Sequence, residues 1–398
     1  MRILSFVMCM GQIVLAHAQT FNSRYDTFGQ MLPNAAWSID RHADGGFMVA
    51  AYSQYTDTIF LYTTAALVRL DEQGHVLSES KMLHPIVGIF PGWSNTGDHT
   101  PDGGIIMGGG TTWPGDSSRA ALIRYGAAGD SLWLREYLPQ GSVLIGRQAK
   151  FCKDGGFALC GETMDTGNGD GFVIKTASDG AEEWRRTYGG PVFFDNLVAV
   201  DTTSDDGYFL GGQYTQDAEN NEDLWVLRIS DTGDTLWTTT WGGEFDEPNA
   251  HLTTLANGNP VIASAWGLAP DFALTRSYMA ELDQSDGSII WERQYGTPSY
   301  LGTLYTPKEV RPGEGCIAAG YIIEGDNTPF YKGIMLRTAA NGDSIWLRSF
   351  FYYDSLMTNG NGYFRDVIPT QDGGFVACGT ATTISGGTLP PGYDNQDI

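Results

Sequence analysis

Tryptophan and carboxylate side chains recur in the longer polar segments of this chain, between short apolar runs. An exposed indole offers a flat apolar face to a sugar ring, and carboxylates accept hydrogen bonds from hydroxyls or coordinate Ca²⁺. Such residues in variable loops on a rigid scaffold are typical of a binding surface. The candidate ligand-binding residues are Trp93, Trp113, Asp116, Asp195, Asp246, Glu247, Trp266, Asp271, Glu324 and Asp326.

Motifs of known catalytic or metal chemistry are scarce. The sequence has no His-x-x-x-His pair for zinc, no Gly-x-Ser-x-Gly elbow and no phosphate-binding glycine loop. His251 is interpreted as a structural residue. The acidic segment 217–223 could bind calcium, but it lacks the alternating oxygen spacing of a known calcium loop, which favours a solvated acidic loop. No catalytic residue, metal site or cofactor is therefore predicted, and calcium stays an open possibility.

The composition limits the fold and the partners. The 398 residues include 52 glycines, 42% are hydrophobic, and the formal net charge is −24. This apolar content excludes a disordered chain, and so many glycines favour short strands and tight turns over long helices. The negative charge repels phosphates and argues against a nucleic-acid partner. No apolar run after the N-terminus reaches the length of a membrane-spanning helix.

A turn followed by a small apolar strand recurs seven times. Its clearest form is Asp-Gly-Gly-Phe, and the successive intervals between copies are 58, 52, 51, 52, 56 and 59 residues. The copies begin at Asp44, Asp102, Asp154, Asp205, Asn257, Gly313 and Asp372. A near-constant period of this length indicates a repeat architecture.

A second unit, consisting of a strand, a glycine turn and a strand, follows each of the first six copies. From the second copy onward it contains Gly-x-x-x-Trp. About four short strands per period predict an all-β chain and a β-propeller of seven four-stranded blades. We expect each repeated tryptophan to pack on the next blade. The repeated cations, Arg69, Arg124, Lys175, Arg228 and Arg337, are interpreted as satisfied strand residues.

The two chain ends bear on closure of the ring. Residues 21–26 resemble a fourth blade strand, so we expect them to complete the last blade and remove its exposed edge. The sequence stops at Asp397-Ile398, where the third strand of the seventh unit should begin. The last blade therefore lacks a strand on this count, which suggests a truncated reading frame.

The repeats also resemble known families. Residues 172–190 and 224–243 are similar to propeller modules of proteins exported by the type IX secretion system. That resemblance implies a cell-surface address and a C-terminal sorting domain beyond residue 398. Residues 283–291 are similar to the tryptophan-docking motif of pyrroloquinoline-quinone dehydrogenases. Those enzymes need a vicinal cysteine pair, which this sequence lacks.

The first residues predict export. Arg2, the apolar residues 3–15 and Ala16-His17-Ala18 form a signal peptide over residues 1–18, cleaved before Gln19. Residues 19–398 are then a single propeller domain. Four cysteines remain; a Cys152–Cys160 bridge is one alternative, but small buried hydrophobic residues are favoured.

Three functions remain open at this point. The first is a secreted or surface-displayed, non-enzymatic binding or adhesion module for carbohydrate or a surface protein. The alternative is an extracellular polysaccharide hydrolase or lyase, with a quinone dehydrogenase less favoured. A third is a structural spacer in a longer polypeptide. Turnover of polysaccharide would identify the enzyme, whereas affinity without turnover would identify the binding module.

Overall fold

The structure is a computed structural model. It describes residues 34–56, 61–84, 86–113, 117–139, 143–164, 169–191, 194–216, 222–324, 330–350, 360–383 and 396–397. The expected signal peptide, the closing strand 21–26, Asp116, Asp326 and most of the acidic segment 217–223 lie outside these residues. We number the repeats 1–7 in chain order.

Repeats 1–4 each form an antiparallel sheet. Consecutive strands are neighbours, except that the first two strands of repeat 2 both pair with its third strand. Repeat 1 has β1 (Asn34–Arg41), β2 (Phe47–Thr56), β3 (Leu61–Leu70) and β4 (Val76–Lys81). Repeat 2 has β5 (Gly88–Pro91), β6 (Gly97–His99), β7 (Ile105–Trp113), β8 (Ser117–Tyr125) and β9 (Ser131–Tyr137). Repeat 3 has β10 (Leu144–Phe151), β11 (Phe157–Thr163), β12 (Asp170–Thr176) and β13 (Glu182–Tyr188). Repeat 4 has β14 (Asn196–Thr202), β15 (Tyr208–Thr215), β16 (Glu222–Ile229) and β17 (Thr235–Trp241).

Repeats 5 and 6 share one eight-stranded sheet, because the long strand β21 is the outer strand of repeat 5 and continues into repeat 6. Repeat 5 has β18 (His251–Thr254), β19 (Pro260–Ala269), a 3-10 turn (Pro270–Phe272), β20 (Leu274–Leu282) and β21 (Ile289–Leu304). Repeat 6 adds β22 (Lys308–Glu309), β23 (Cys316–Glu324), β24 (Phe330–Thr338) and β25 (Ser344–Phe350). Repeat 7 has β26 (Gly360–Pro369), β27 (Phe375–Thr383) and β28 (Gln396–Asp397).

The sheets follow one another around a closed ring, which confirms the all-β, propeller-type fold. Repeat 7 packs against repeat 1, where Ile368 and Cys378 share a buried cluster with Ile39. The Asp366 carboxylate accepts hydrogen bonds from Ile39 N at 3.0 Å and from Ser38 Oγ at 3.1 Å. β28 pairs with β27, so a third strand of repeat 7 does begin where the sequence predicted it. The number of blades stays a prediction.

The middle strands are buried on both faces because each sheet lies between two neighbours. Every residue of β11 and β12 is buried, whereas the outer strand β13 alternates between exposed and half-buried positions. The four cysteines in the described residues are free and buried. This confirms that they pack as small hydrophobic residues and leaves no Cys152–Cys160 bridge.

An aspartate and a cation hold the turn in repeats 1 to 4. In repeat 3, Asp154 accepts a hydrogen bond from Gly156 N at 2.9 Å, and Lys175 Nζ lies 2.6 Å from its carboxylate. Gly155 has φ +87°, which is why glycine is required at that position. The equivalent pairs are Arg69–Asp44, Arg124–Asp102 and Arg228–Asp205. Arg337 instead donates to the backbone oxygens of Thr338 and Glu314, so the interpretation of the five cations as satisfied strand residues is confirmed.

Repeat 5 keeps the contact across this turn, but the turn residue is now the hydrogen-bond donor and the strand residue is the acceptor. Asn257 replaces the aspartate and Glu281 replaces the cation. Asn257 Nδ2 donates to Glu281 Oε1 at 3.0 Å, and Trp291 Nε1 donates to Glu281 Oε2 at 2.7 Å. A cross-strand polar contact is therefore preserved although both residues differ from the other repeats.

The repeated tryptophans lie over the glycine turn of the next repeat. A Cβ built on Gly233 of repeat 4 would lie 3.0 Å from the Trp184 indole of repeat 3, and Trp237 and Trp291 approach Gly287 and Gly342 in the same way. Tyr188 Oη also donates to Gly233 O at 2.8 Å. Only a glycine leaves room for the ring, which confirms that the tryptophans are contacts between repeats.

Trp184→Ala should lower the free energy of unfolding by about 3 kcal/mol, because a large aromatic ring is lost from the contact between repeats 3 and 4. Urea unfolding followed by fluorescence or circular dichroism measures the change. Leu236→Ala is the control, since Leu236 lies on an outer strand and is 56% exposed; it should change stability by no more than about 0.5 kcal/mol. Equal effects of the two changes would contradict the assigned contact.

Candidate functional site

A bulge in the innermost strand of repeat 2 enters the central channel. β5 and β6 both pair with β7, with Pro91 opposite Gly109 and Gly97 opposite Met107. Residues 92–96 therefore face only Gly108 on the partner strand and must leave the sheet. We call residues 92–96 the plug.

The plug contacts repeats on several sides of the ring. Its hydrogen bonds and polar contacts are Asn95 N to Trp37 O (2.8 Å), Ala149 N to Thr96 O (3.1 Å), Lys308 Nζ to Asn95 Oδ1 (2.9 Å) and Ser94 Oγ to His251 Nδ1 (3.4 Å). The partners belong to repeats 1, 3, 6 and 5. The plug therefore crosses the channel and closes it.

A cavity of about 350 Å³ lies against the plug, and Trp93 and Ser94 are among the residues that line it. The rest of the lining comes from repeats 3 to 6, so the cavity is built around the axis of the ring. This volume falls at the lower end of the range for small-ligand sites. The cavity is the candidate functional site.

One wall combines an indole with an ion pair. Trp93 is 61% exposed, and the guanidinium of Arg147 lies 4.7 Å from the centre of its ring. Arg147 Nη2 lies 2.6 Å from Glu162 Oε1, so the two charges neutralise each other. The wall thus offers an apolar surface next to guanidinium donors and carboxylate acceptors.

The wall from repeats 5 and 6 contains His251 and two tyrosines. Burial lowers the pKa of His251 to about 3, and the positive charge of Arg365 contributes to the same effect. His251 is therefore a neutral imidazole at physiological pH. It packs edge-on against Tyr305 at 5.2 Å, and Arg365 Nη1 donates to Tyr305 Oη at 2.5 Å.

Two amide oxygens in the lining find no hydrogen-bond donor among the described residues. Asn196 Oδ1 and Asn249 Oδ1 are buried, and neither makes a hydrogen bond with any residue in the described part of the chain. Asn196 is 6% exposed. A buried acceptor without a donor is destabilising, by about 1–3 kcal/mol, unless a ligand or water supplies the hydrogen bond. Both oxygens therefore favour a ligand that donates hydrogen bonds.

The Ser94–His251 contact resembles a nucleophile beside a base, but the basicity of His251 argues against that role. General base catalysis is efficient when the pKa of the base lies near the working pH. An imidazole with a pKa of about 3 removes a hydroxyl proton poorly. His251 is therefore poorly suited to activate the Ser94 hydroxyl.

The tryptophans predicted from sequence lie in different surroundings. Trp93 lines the cavity, although it belongs to the bulge of an inner strand and not to a connection at the mouth of the channel. Trp113 donates its indole N–H to Glu136 at 2.6 Å and lies under the Arg119 guanidinium at 4.1 Å. The Trp266 ring packs 4.9 Å from that of Tyr278. Neither Trp113 nor Trp266 lines the cavity.

The predicted carboxylates are not assembled at the cavity either. Asp195 and Glu247 are fully buried, which corrects the expectation that they belong to an exposed, loop-built binding surface. Their oxygens accept hydrogen bonds from the backbone N–H groups of Gly190 and Thr215, and of Gly243 and Gly267, so they brace the links between repeats. Burial raises the pKa of Asp195, and these N–H groups oppose the effect.

The remaining predicted carboxylates lie on connections or strand ends. Asp246 accepts a hydrogen bond from Glu222 N at 3.3 Å. Asp271 is exposed in the 3-10 turn with φ +54°. Glu324 ends β23, and nothing further is described of its side chain.

A second polar cluster, absent from the sequence prediction, lies on the inner strands near the Asp-Gly-Gly turns. Ligand atoms of Asp40, Asp98 and His99 lie within 4.8 Å of one another, a spacing that could hold a metal ion. Lys150 Nζ lies 3.5 Å from Asp98 and 3.2 Å from Asp201. The carboxylates already have a cationic partner, so this cluster is built as an ion-pair network.

Comparison with known proteins identifies no family. No protein-family model and no curated protein matches the chain. Similar solved structures include a protein of unknown function from Dyadobacter fermentans, with 10% identity, a TM-score of 0.48, and coverage of 80% of this chain and 94% of that one. Sqt1 from Chaetomium thermophilum has 13% identity, a TM-score of 0.47 and coverage of 92% and 85%.

An α-L-arabinofuranosidase from Fusarium graminearum is similar at 11% identity, with a TM-score of 0.45 and coverage of 92% of each chain. These three TM-scores are below 0.5, so we base no functional argument on the likenesses. In the described part of the chain, no helix has the length and apolar character needed to span a membrane.

Glu247→Gln should change how stability depends on pH. The pKa of Glu247 is raised from 4.5 to about 8, mainly by burial and also by the charges of Asp223 and Asp246, against the opposing effect of the backbone N–H groups. Between these two pKa values the folded state holds a proton that the unfolded chain releases. The contribution of Glu247 to the free energy of unfolding is therefore fully present below pH 4.5 and is lost as the pH rises through about 8. Thermal unfolding between pH 5 and 8 should show a smaller decline for the variant.

The matched control for this measurement is Glu244→Gln, which changes an exposed carboxylate in the same link between repeats. It should preserve the wild-type decline with pH. Parallel pH profiles for wild type and Glu247→Gln would contradict a protonated buried Glu247.

Proposed function

We propose that this protein is an exported, non-enzymatic module that binds carbohydrate in the channel cavity. The observation that carries the proposal is the composition of the lining: an exposed indole, a neutralised arginine–glutamate pair and two buried amide oxygens to which no described residue donates. Each of these groups matches a different feature of a sugar.

The indole supplies the apolar contact. Trp93 is 61% exposed although it lines a cavity in which the neighbouring plug residues are buried. Exposing so large an apolar surface is unfavourable in water. A sugar ring that covers the indole with its C–H face would remove this surface from water.

The polar groups favour hydroxyls over anions. Arg147 donates hydrogen bonds, Glu162 accepts them, and the amide oxygens of Asn196 and Asn249 need donors. A hydroxyl group both donates and accepts, whereas a carboxylate or phosphate dianion only accepts. The formal charge of −24 also repels anionic ligands. A neutral, hydroxyl-rich ligand therefore fits this set best.

The proposed location rests on the sequence. Residues 1–18 have the three regions of a signal peptide, and an acidic exterior is compatible with a soluble exported protein. The similarity of residues 172–190 and 224–243 to type IX cargo modules supports display at the cell surface. Fractionation of the native host, with antibody detection of the protein in the medium, outer membrane and cytoplasm, tests this cellular location.

Trp93→Ala should weaken binding to the best neutral glycan at least about 10-fold, which corresponds to about 1.4 kcal/mol of lost contact. Neutral and acidic glycans on an array select the probe, and isothermal titration calorimetry measures the affinity. No new reducing ends should form on prolonged incubation with that glycan.

Leu138→Ala is the control, because Leu138 is 60% exposed and lies outside the cavity lining. It should bind as the wild type does. Wild-type affinity in Trp93→Ala would place the site elsewhere, and release of reducing ends would identify an enzyme.

A further inference from the structure

The plug determines how a ligand can enter the channel. In an open ring, a linear polymer could pass through from one face to the other. Ser94, Asn95 and Thr96 are 4%, 6% and 0% exposed and stand in that path. Their contacts with repeats 1, 3, 5 and 6 leave the cavity with a closed floor.

The closure is part of the backbone fold and not a hinged gate. Gly92 N donates to Gly108 O, and Gly108 N donates to Thr96 O, both at 2.8 Å. Gly92 N also donates to Thr96 Oγ1 at 2.9 Å. A Cβ on Gly92 would lie 1.6 Å from Arg147 O, so both ends of the plug are packed against fixed backbone.

A second polar layer lies on the inner strands toward the Asp-Gly-Gly turns. Lys150 of repeat 3 bridges Asp98 of repeat 2 and Asp201 of repeat 4, at 3.5 and 3.2 Å. Lys308 of repeat 6 reaches the plug at Asn95 Oδ1. These contacts tie the inner strands to one another and to the plug.

From this geometry we propose that the cavity receives the terminus of a linear glycan and excludes the interior of the chain. The inference rests on the proposed carbohydrate-binding function and adds the mode of recognition. A cavity of about 350 Å³ with a closed floor accommodates a short chain end. The rest of the polymer leaves the cavity past the exposed Trp93.

Binding stoichiometry tests the inference without a variant. Linear, neutral gluco-, manno-, xylo- and arabino-oligosaccharides of about 3 to 30 units are titrated into the full chain by calorimetry. End recognition predicts one protein per glycan chain at every length. Recognition of the interior predicts a number of bound proteins that grows with chain length, and that result would overturn the inference while the proposed function stands.

If none of these saccharides binds, both the proposed function and this inference are overturned. A second measurement concerns the floor itself. Ser94→Leu adds volume at the floor of the cavity and should weaken binding of a trisaccharide at least about 10-fold, whereas Ser94→Ala keeps the space open and should weaken it by less than about 3-fold.

Thermal unfolding verifies that both Ser94 variants fold. Unchanged trisaccharide affinity in a folded Ser94→Leu would show that the ligand lies across the mouth without reaching the floor, which contradicts end-on entry.

Discussion

The packing of an aromatic ring from one repeat over a glycine turn of the next is the contact on which this architecture depends. A single four-stranded sheet cannot bury both of its faces, and the middle strands here are buried on both. The indole and the turn fix the position and distance of the next sheet, as with Trp184 and Gly233. Because the contact recurs from one repeat to the next, the ring closes with repeat 7 packed against repeat 1. The cavity at the centre therefore depends on contacts made at the periphery of the ring.

The sequence was informative wherever a residue recurs with the period of the fold. The Asp-Gly-Gly turns, the cations that hold them and the tryptophans between repeats were all assigned correctly, because each is constrained by the same geometry several times. Repeat 5 shows that the constraint is the contact and not the residue type. Asn257 and Glu281 exchange the polarity of the pair and keep its hydrogen bond.

The site was harder to predict because it is made of exceptions to the repeat. Trp93 was identified by residue type, but the other groups of the lining, Arg147, Glu162, Asn196 and Asn249, come from other repeats and share no spacing. The interval of 58 residues between the first two turns accommodates the plug, but the last two intervals are 56 and 59 residues, so interval length alone did not identify it. Asp195 and Glu247 were misplaced because a carboxylate that accepts backbone hydrogen bonds in the interior has the same sequence signature as a solvated one.

Contacts through the centre also change the cooperativity of the ring. In an array where each repeat contacts only its neighbours, stability is approximately a sum of local terms, and one segment can open while the rest stays folded. The hydrogen bond from Lys308 to Asn95 joins residues 213 positions apart in the chain, and Ser94 and His251 are 157 apart. The plug thus acts as a hub that couples non-adjacent repeats, and local opening of any of them disturbs the others across the axis.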